Sequence, residues 1–176
     1  MINFVRLAII VLAVCFVGCA DSKSDSKSES SFSDPDAIYY LVRHAEKTLQ
    51  KDDPALTDIG KKRAIDLSKR LVDIPVSKIY SSDYTRTRDT AIPAAYSKNL
   101  QIALYDPKSL EEFSKTLLNE TGHILVVGHS NTTPPLAELL GGDGGEPIIE
   151  ATEYNRFYIV TRSGQNVSSI IETYGD

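Results

Sequence analysis

The chain has no tryptophan and only two cysteines among its 176 residues, Cys15 and Cys19, both near the N-terminus. The rest of the chain therefore offers neither a disulfide framework nor a thiolate metal site. Only three histidines are present and no H-x-x-x-H pattern occurs, which disfavours a zinc site. Basic residues are outnumbered by acidic ones, 19 to 24, and the formal net charge of −5 argues against a nucleic-acid backbone as a partner.

The first 18 residues have the parts of an export signal. Arg6 carries their only formal side-chain charge, and the unbroken apolar run Leu7–Val17 that follows is too short to span a bilayer comfortably. Phe16-Val17-Gly18-Cys19 resembles a bacterial lipobox, whose cysteine is lipidated and becomes the N-terminus, although Phe16 replaces the usual leucine. We expect a lipoprotein signal peptide over 1–18. A cleaved secretory signal that happens to contain cysteines is the alternative.

The segment that follows Cys19 is too polar to fold. Serine alternates with charges of both signs over 20–36, and Phe32 is its only large apolar residue. We expect a lipidated cysteine and a flexible tether over 19–36, followed by a folded domain over 37–176. The protein is therefore expected to be an extracytoplasmic lipoprotein, anchored to a membrane of the bacterial cell envelope through Cys19.

Three apolar runs each lead into side chains that can bind or attack an anion. They are Ala37–Val42 before Arg43-His44, Val76–Tyr80 before a helical stretch with Arg86, and Ile124–Val127 before Gly128-His129. Because α/β folds place their chemistry at the carboxyl ends of parallel strands, the two arginines and two histidines are expected to meet at one sheet edge. Two imidazoles between two fixed cations suit a phosphoryl group.

Strand and helix patterns alternate along the predicted domain. Strands are expected over 38–42, 76–80, 101–105, 124–127, 157–161 and 167–173, and helices over 57–72, 84–96, 110–119 and 134–140. The alternation predicts an α/β fold, a three-layer α/β/α sandwich around a mostly parallel sheet. Pro93 is expected to kink or end the second helix. The glycine-rich stretch 141–147 is interpreted as a helix stop, since it follows no strand and lacks G-K-[ST].

Four blocks of the sequence resemble the histidine phosphatase superfamily, which has the phosphoglycerate-mutase-like fold. They are Arg43-His44-Ala45-Glu46, the L-T-x-x-G-x-x-R-A block Leu56–Ala64, the S-S-x-x-x-R-x-x-x-T-A block Ser81–Ala91, and the second-histidine block Val127–Asn131. They occur in the family's order, and the resemblance covers nearly all of 37–174. One R-H-x-E would be a weak indication, whereas four ordered blocks indicate a small, compact member of this family.

The resemblance implies a role for each motif residue. His44 would be the nucleophile and would form a phosphohistidine that water hydrolyses. Arg43 and Arg86 would bind the non-bridging oxygens, and a cationic His129 would stabilise the transferring group in the complex. Secondary contacts to phosphate or to the catalytic loop are expected from Ser81, Thr57 and Asn131. Because these cations would replace the metal ions of other phosphatases, neither a metal nor another cofactor is expected.

The proton donor is the point at which the chain departs from the family. Many members carry an acid in a longer insertion after the second arginine, and others have an Asp directly after the second histidine, where this chain has Ser130. The short segment 97–112 contains Asp106, Glu111 and Glu112. Asp106 follows the third predicted strand at the catalytic edge and is the candidate donor. The alternative is an Asp-Pro turn without a chemical role.

The sequence therefore predicts an exported, membrane-anchored, metal-independent phosphomonoesterase that acts on a small phosphorylated substrate. One alternative is a phosphohistidine (phosphoprotein) phosphatase, which the compact size favours and the export signal disfavours, because such protein substrates are cytoplasmic. The other is a non-catalytic phosphate-binding lipoprotein. The intact His44 and His129 argue against it, because binding alone needs only the arginines.

Overall fold

The computed structural model describes residues 34–175. The predicted signal peptide, Cys19 and all but the end of the predicted tether lie outside the described residues. The elements are β1 (Ala37–Arg43), α1 (Asp58–Arg70), β2 (Val76–Ser82), α2 (Thr85–Lys98), β3 (Ile102–Tyr105), α3 (Leu110–Leu118), β4 (Gly122–Gly128), α4 (Thr133–Leu139), β5 (Arg156–Ser163) and β6 (Asn166–Thr173). Within 34–175, no helix combines the length and the apolarity that crossing a bilayer requires.

The strands of the described chain form one sheet in the order β3-β2-β4-β1-β5-β6. Strands β3, β2, β4 and β1 are parallel neighbours, whereas β5 pairs antiparallel with both β1 and β6. The predicted mostly parallel sheet is thus confirmed. Because β1, β2 and β4 are adjacent and parallel, their carboxyl ends lie together at one edge of the sheet.

Apolar side chains cover both faces of the sheet. Alternate residues of β1 point to opposite faces: Tyr39 packs in a cluster with Leu117 of α3, and Tyr40 in another with Leu67 of α1. The first cluster also contains residues of α4, and the second contains residues of α2. A central strand that is buried on both faces typically has an unbroken apolar sequence, and β1 has such a sequence up to Val42. The predicted three-layer α/β/α sandwich is confirmed.

Helix α1 begins where the sequence predicts. Thr57 is the N-cap, and its Oγ1 accepts a hydrogen bond from the Gly60 N–H at 3.0 Å. A Cβ on Gly60 would lie 2.2 Å from the carbonyl oxygen of Glu46, so any other residue there would collide with the chain just after His44. The glycine of this block therefore permits α1 to pack directly against the catalytic loop.

Pro93 does not end α2, which was one of the two predicted outcomes. The helix runs through it to Lys98 and ends at Asn99, which has a left-handed φ of 53°. Ala91, Ala94 and Ala95 are buried on this helix, and the Ser68 hydroxyl donates to the Pro93 carbonyl at 3.1 Å. Packing against α1 and the sheet thus outweighs the backbone hydrogen bond that proline removes.

The glycine-rich stretch ends α4, as predicted. Gly141 has a φ of 89°, its N–H donates to the Glu138 carbonyl, and the Gly142 N–H donates to the Ala137 carbonyl. These two bonds form the Schellman motif that closes many helices.

Candidate active site

The carboxyl ends of β1 and β4 bring the two motif histidines together. Their ring centroids lie 5.6 Å apart with the rings edge to face, and the side chains are 2% and 8% exposed. They face a cavity of about 450 Å³, here called the histidine cavity, lined by His44, Lys47, Tyr84, Arg86, Pro107, Lys108, His129, Ser130, Asn131, Thr132 and Glu150. Three of these side chains are cationic and one is a carboxylate, so the cavity favours an anion.

Local hydrogen bonds fix the tautomer of His44. Its Nδ1 lies 2.8 Å from the Ala45 carbonyl oxygen, which can only accept, so Nδ1 carries the proton and Nε2 has the lone pair. Burial lowers the pKa of His44 from 6.5 to about 3, assisted by the positive charges of Arg43 and Arg86. In the free protein His44 is therefore a neutral imidazole at physiological pH, as a nucleophile must be.

A chain of hydroxyls fixes His129 in the opposite tautomer. Arg86 Nη2 lies 3.4 Å from His129 Nδ1 and can only donate, so Nδ1 is an acceptor. The proton is on Nε2, which donates to Ser82 Oγ at 2.8 Å. Ser82 Oγ donates to Thr87 Oγ1, whose own proton goes to main-chain carbonyls. All three side chains are buried, so this chain holds the ring in one orientation.

The free protein keeps His129 uncharged as well. Burial lowers its pKa from 6.5 to about 4, and Arg86 adds to the effect, while the carboxylate of Glu150 opposes it. The prediction that His129 is cationic concerns the substrate complex and stays a prediction. A bound phosphoryl dianion would act in that direction, since a neighbouring negative charge raises a histidine pKa.

Arg86 enters the histidine cavity from the first turn of α2. Its guanidinium lies 4.5 Å from the ring centroid of Tyr84 and 3.8 Å from Asp53 Oδ1. Asp53 also accepts hydrogen bonds from the Thr85 N–H at 2.8 Å and the Thr85 hydroxyl at 2.6 Å. A carboxylate from a distant loop thus caps α2, which has no cap from its own N-cap residue. The same carboxylate steadies the arginine that faces the cavity.

Arg43 lies beneath the cavity wall rather than in it. It is 1% exposed, and Nη1 and Nη2 donate to the carbonyls of Glu153 and Glu150, each at 2.8 Å. Its guanidinium lies 4.0 Å from the ring centroid of Tyr154. Nε is buried and finds no hydrogen-bond acceptor among the described residues. The two Nη groups hold the loop before β5 in place, and the contact of Arg43 to phosphate stays a prediction.

The same loop brings a carboxylate that the sequence analysis did not select. Glu150 lines the histidine cavity, and its Oε2 lies 3.1 Å from Arg43 Nη2. The Ser130 hydroxyl, next to His129, donates to the same oxygen. No sequence motif marks Glu150, because it lies 107 residues from Arg43 in a loop without a periodic pattern.

The predicted secondary contacts divide into two groups. Asn131 lines the histidine cavity. Thr57 does not line it, but its hydroxyl donates to the Glu46 carbonyl at 3.3 Å and so supports the catalytic loop. Ser81 does not line the cavity either: it is fully buried, and its hydroxyl donates to the Ser82 carbonyl. Its predicted contact to phosphate stays a prediction. Adjacent strand residues point to opposite faces, so the serine that contacts His129 is Ser82.

Asp106 lies beside the histidine cavity without lining it. Its Oδ1 accepts from the Lys108 N–H at 2.9 Å, and its Oδ2 from the Ser109 hydroxyl at 3.3 Å. These bonds form the Asp-Pro turn that was the alternative interpretation, and the turn places Pro107 and Lys108 at the cavity. Its assignment as proton donor stays a prediction.

Further buried contacts position the catalytic loop. Thr90 Oγ1 accepts from the Ala45 N–H at 2.9 Å, so α2 holds the residue after His44. The Glu46 carboxylate binds Arg63 Nε and Nη2, and Arg63 Nη1 donates to the main chain at Tyr174 and Gly175. These contacts explain why Thr90, Glu46 and Arg63 occur in the sequence blocks. Among residues 34–175, no group of three or more His, Cys, Asp and Glu is arranged to hold a metal ion.

Comparisons with known proteins agree with this geometry. Residues 39–116 match the family model of the histidine phosphatase superfamily (branch 1). No curated protein sequence matches the chain. Three similar solved structures cover most of both chains. The protein histidine phosphatase SixA complexed with tungstate is 18% identical and matches with a TM-score of 0.60 over 78% of this chain and 95% of that one. A mycobacterial glucosyl-3-phosphoglycerate phosphatase is 12% identical and matches with a TM-score of 0.60 over 78% of this chain and 98% of that one. Phosphoglycerate mutase from Bacillus anthracis is 17% identical and matches with a TM-score of 0.58 over 81% of this chain and 95% of that one.

At these identities the structural likeness concerns the fold. The family model covers the block that contains the nucleophile candidate and the block that contains Arg86. The second histidine lies beyond the matched residues, and the sheet brings it to the same edge. On this evidence residues 39–116 match the histidine phosphatase superfamily, and the described domain shares the fold of histidine phosphatase and phosphoglycerate mutase structures.

Proposed function

We propose that the protein is a phosphatase, and more narrowly a phosphomonoesterase that works through a phosphohistidine at His44 without a metal ion. The observation that carries the proposal is the pair of buried neutral imidazoles in fixed, opposite tautomers beside Arg86. One imidazole offers a lone pair to phosphorus. The other, once protonated at Nδ1 in the substrate complex, can stabilise the charge on the transferring group together with the guanidinium.

In the first step, His44 Nε2 attacks the phosphorus atom and the ester P–O bond breaks. The proton on Nδ1 stays hydrogen-bonded to the Ala45 carbonyl, which stabilises the positive charge that forms on the ring. Arg86 and His129 contact the non-bridging oxygens from the other wall of the cavity. In the second step, water attacks phosphorus, the P–N bond breaks, and its electron pair returns to His44 Nε2.

Trapping the intermediate tests this proposal. Acid-labile label from a radioactive phosphomonoester should appear on His44 after rapid quenching, and His44→Ala should abolish both label and turnover. His123→Ala is the matched control, because His123 pairs with Ile38 at the opposite end of the strands and contacts the Tyr40 hydroxyl. Label on a serine or aspartate, or turnover by His44→Ala within about tenfold of the wild type, would contradict the mechanism.

The role of the cations is tested by removing metals. Turnover should persist in excess chelator, because Arg86 and a His129 that is cationic in the substrate complex supply the electrostatic stabilisation that a metal supplies elsewhere. Vanadate and inorganic phosphate should inhibit competitively. Activity that disappears with chelator and returns with a divalent cation would overturn this part of the proposal.

A second candidate is a phosphohistidine phosphatase acting on a phosphoprotein. The fold likeness to the protein histidine phosphatase SixA favours it, as does the shortness of the segment between α2 and α3, which is only 11 residues from 99 to 109. Lys47 and Lys108 line the cavity, and neither side chain has a hydrogen-bond or ion-pair partner within 34–175, so they suit an anionic substrate of either size. Comparing kcat/KM for small phosphomonoesters with kcat/KM for a phosphohistidine-containing protein separates the two candidates.

The cellular location is also a proposal. The lipobox-like sequence ending in Cys19 and the serine-rich segment after it support a lipid anchor and a tether that holds the domain away from the membrane. This arrangement favours small extracytoplasmic phosphomonoesters as substrates, because cytoplasmic phosphoproteins would be out of reach.

A further inference from the structure

Among the described residues that line the histidine cavity, Glu150 is the one carboxylate. It comes from the loop between α4 and β5, which no sequence block marks. The acids considered from the sequence, Asp106, Glu111 and Glu112, do not line the cavity. An acid at the cavity wall has two possible uses in phosphoryl transfer, either to exclude anions or to move a proton.

The contacts of Glu150 place its carboxylate between the two halves of the site. One oxygen is 3.1 Å from Nη2 of Arg43, the residue before His44, and accepts from the hydroxyl of Ser130, the residue after His129. The side chain is 64% exposed, so it can approach a leaving group that enters from solvent. Its backbone carbonyl separately binds Arg43 Nη2 at 2.8 Å, which anchors the loop whatever the side chain is.

We propose that Glu150 is the catalytic acid that protonates the leaving oxygen, an inference that rests on the proposed phosphatase function. As the ester P–O bond breaks, its electron pair goes to the leaving oxygen, which takes the proton of Glu150 and departs as an alcohol. The step leaves a phosphohistidine and an ionised Glu150. In the second step the Glu150 carboxylate takes a proton from the attacking water, so the acid is restored as inorganic phosphate forms.

Two contacts hold the Glu150 carboxyl group in place during this exchange. Arg43 Nη2 lies 3.1 Å from one carboxylate oxygen. The Ser130 hydroxyl donates to the same oxygen and can rotate to accept from the protonated form.

Leaving groups of different basicity test the role of Glu150. An alkoxide needs a proton, and a positioned acid contributes about 10²–10⁴-fold, whereas the weakly basic p-nitrophenolate needs it much less. Glu150→Gln should therefore lower kcat/KM for an alkyl phosphate at least about 100-fold and for p-nitrophenyl phosphate less than about tenfold. The parameter kcat/KM is chosen because it reports steps up to departure of the alcohol and is insensitive to hydrolysis of the phosphohistidine.

Two further variants make the outcome specific. Glu146→Gln changes the same residue type in the same loop outside the cavity, and both kcat/KM values should stay unchanged. Equal losses of Glu150→Gln on both substrates would mean that the carboxylate only binds or orients phosphate, and no loss on either would also overturn the inference. A selective loss on alkyl phosphate in Asp106→Asn but not in Glu150→Gln would assign the acid to Asp106. If the wild type formed no phosphohistidine with either substrate, the proposed function itself would fail.

Discussion

Lowering the pH from 7 to 5 should destabilise the folded protein through its two catalytic-site histidines. Both pKa values are lowered from 6.5, to about 3 for His44 and about 4 for His129, because burial and the arginines oppose the charged form. Between those values and 6.5 the unfolded chain binds more protons, so stability rises with pH there and is lost as the pH falls below 6.5. At about 1.4 kcal/mol per pH unit, a pH of 5 removes roughly 2 kcal/mol per histidine, or roughly 4 kcal/mol together.

Urea titrations at the two pH values measure this loss. The free energy of unfolding should fall by roughly 4 kcal/mol at unchanged m-value, a large share of the 5–15 kcal/mol typical of a domain. The double variant His44→Gln/His129→Gln should lose most of the dependence, because glutamine does not titrate. His123→Gln should retain most of the pH dependence, because it leaves His44 and His129 in place. His123 itself is partly exposed, and burial lowers its pKa. An equal pH dependence in wild type and double variant would refute the neutral, buried state of the imidazoles.

Three other changes have expected outcomes. Gly60→Ala should lower the free energy of unfolding by about 1–3 kcal/mol and reduce turnover, because the new Cβ would lie 2.2 Å from the Glu46 carbonyl oxygen. Urea titration measures the stability and steady-state kinetics measure kcat. If both stayed at the wild-type values, the close packing would be contradicted. Ser82→Ala should lower the free energy of unfolding by about 1–3 kcal/mol and reduce kcat more than it changes KM, because it leaves the Nε2 proton of His129 without an acceptor. Ser97→Ala is the control, because the Ser97 hydroxyl donates to a carbonyl of its own helix. Cys19→Ser should move the protein from the membrane fraction to the soluble fraction and abolish fatty-acid labelling, and a wild type without label would contradict the lipoprotein proposal.

The strand ends were predictable because their signals are local. An apolar run followed by Arg-His or Gly-His marks both the strand and the point where it stops, and parallel pairing then brings His44 and His129 to one edge. The start of α1 at Thr57 and the glycine stop of α4 were predictable for the same reason, since each depends on side-chain or backbone chemistry within five residues.

One difference arose where tertiary packing overrides local preference. Pro93 was expected to kink or end α2, but the helix continues through it, with buried alanines packed on both sides of the proline. The motif also contains both Ser81 and Ser82, and only the register of β2 against β4 decides that the Ser82 hydroxyl contacts His129. A one-residue difference on a strand reverses the face.

The loop before β5 shows a deeper limit of sequence reasoning at this site. It binds Arg43 through the carbonyls of Glu150 and Glu153, and a backbone carbonyl is present in every residue type. No motif can record such a contact, so the anchor of a predicted catalytic arginine was invisible in the sequence. The side chain of Glu150 is different, because only an acid at that position places a carboxylate against Ser130. Substitutions in this loop should therefore be tolerated at positions where only the backbone contacts Arg43. A substitution at Glu150 should instead change the rate of the reaction, because it removes the carboxylate.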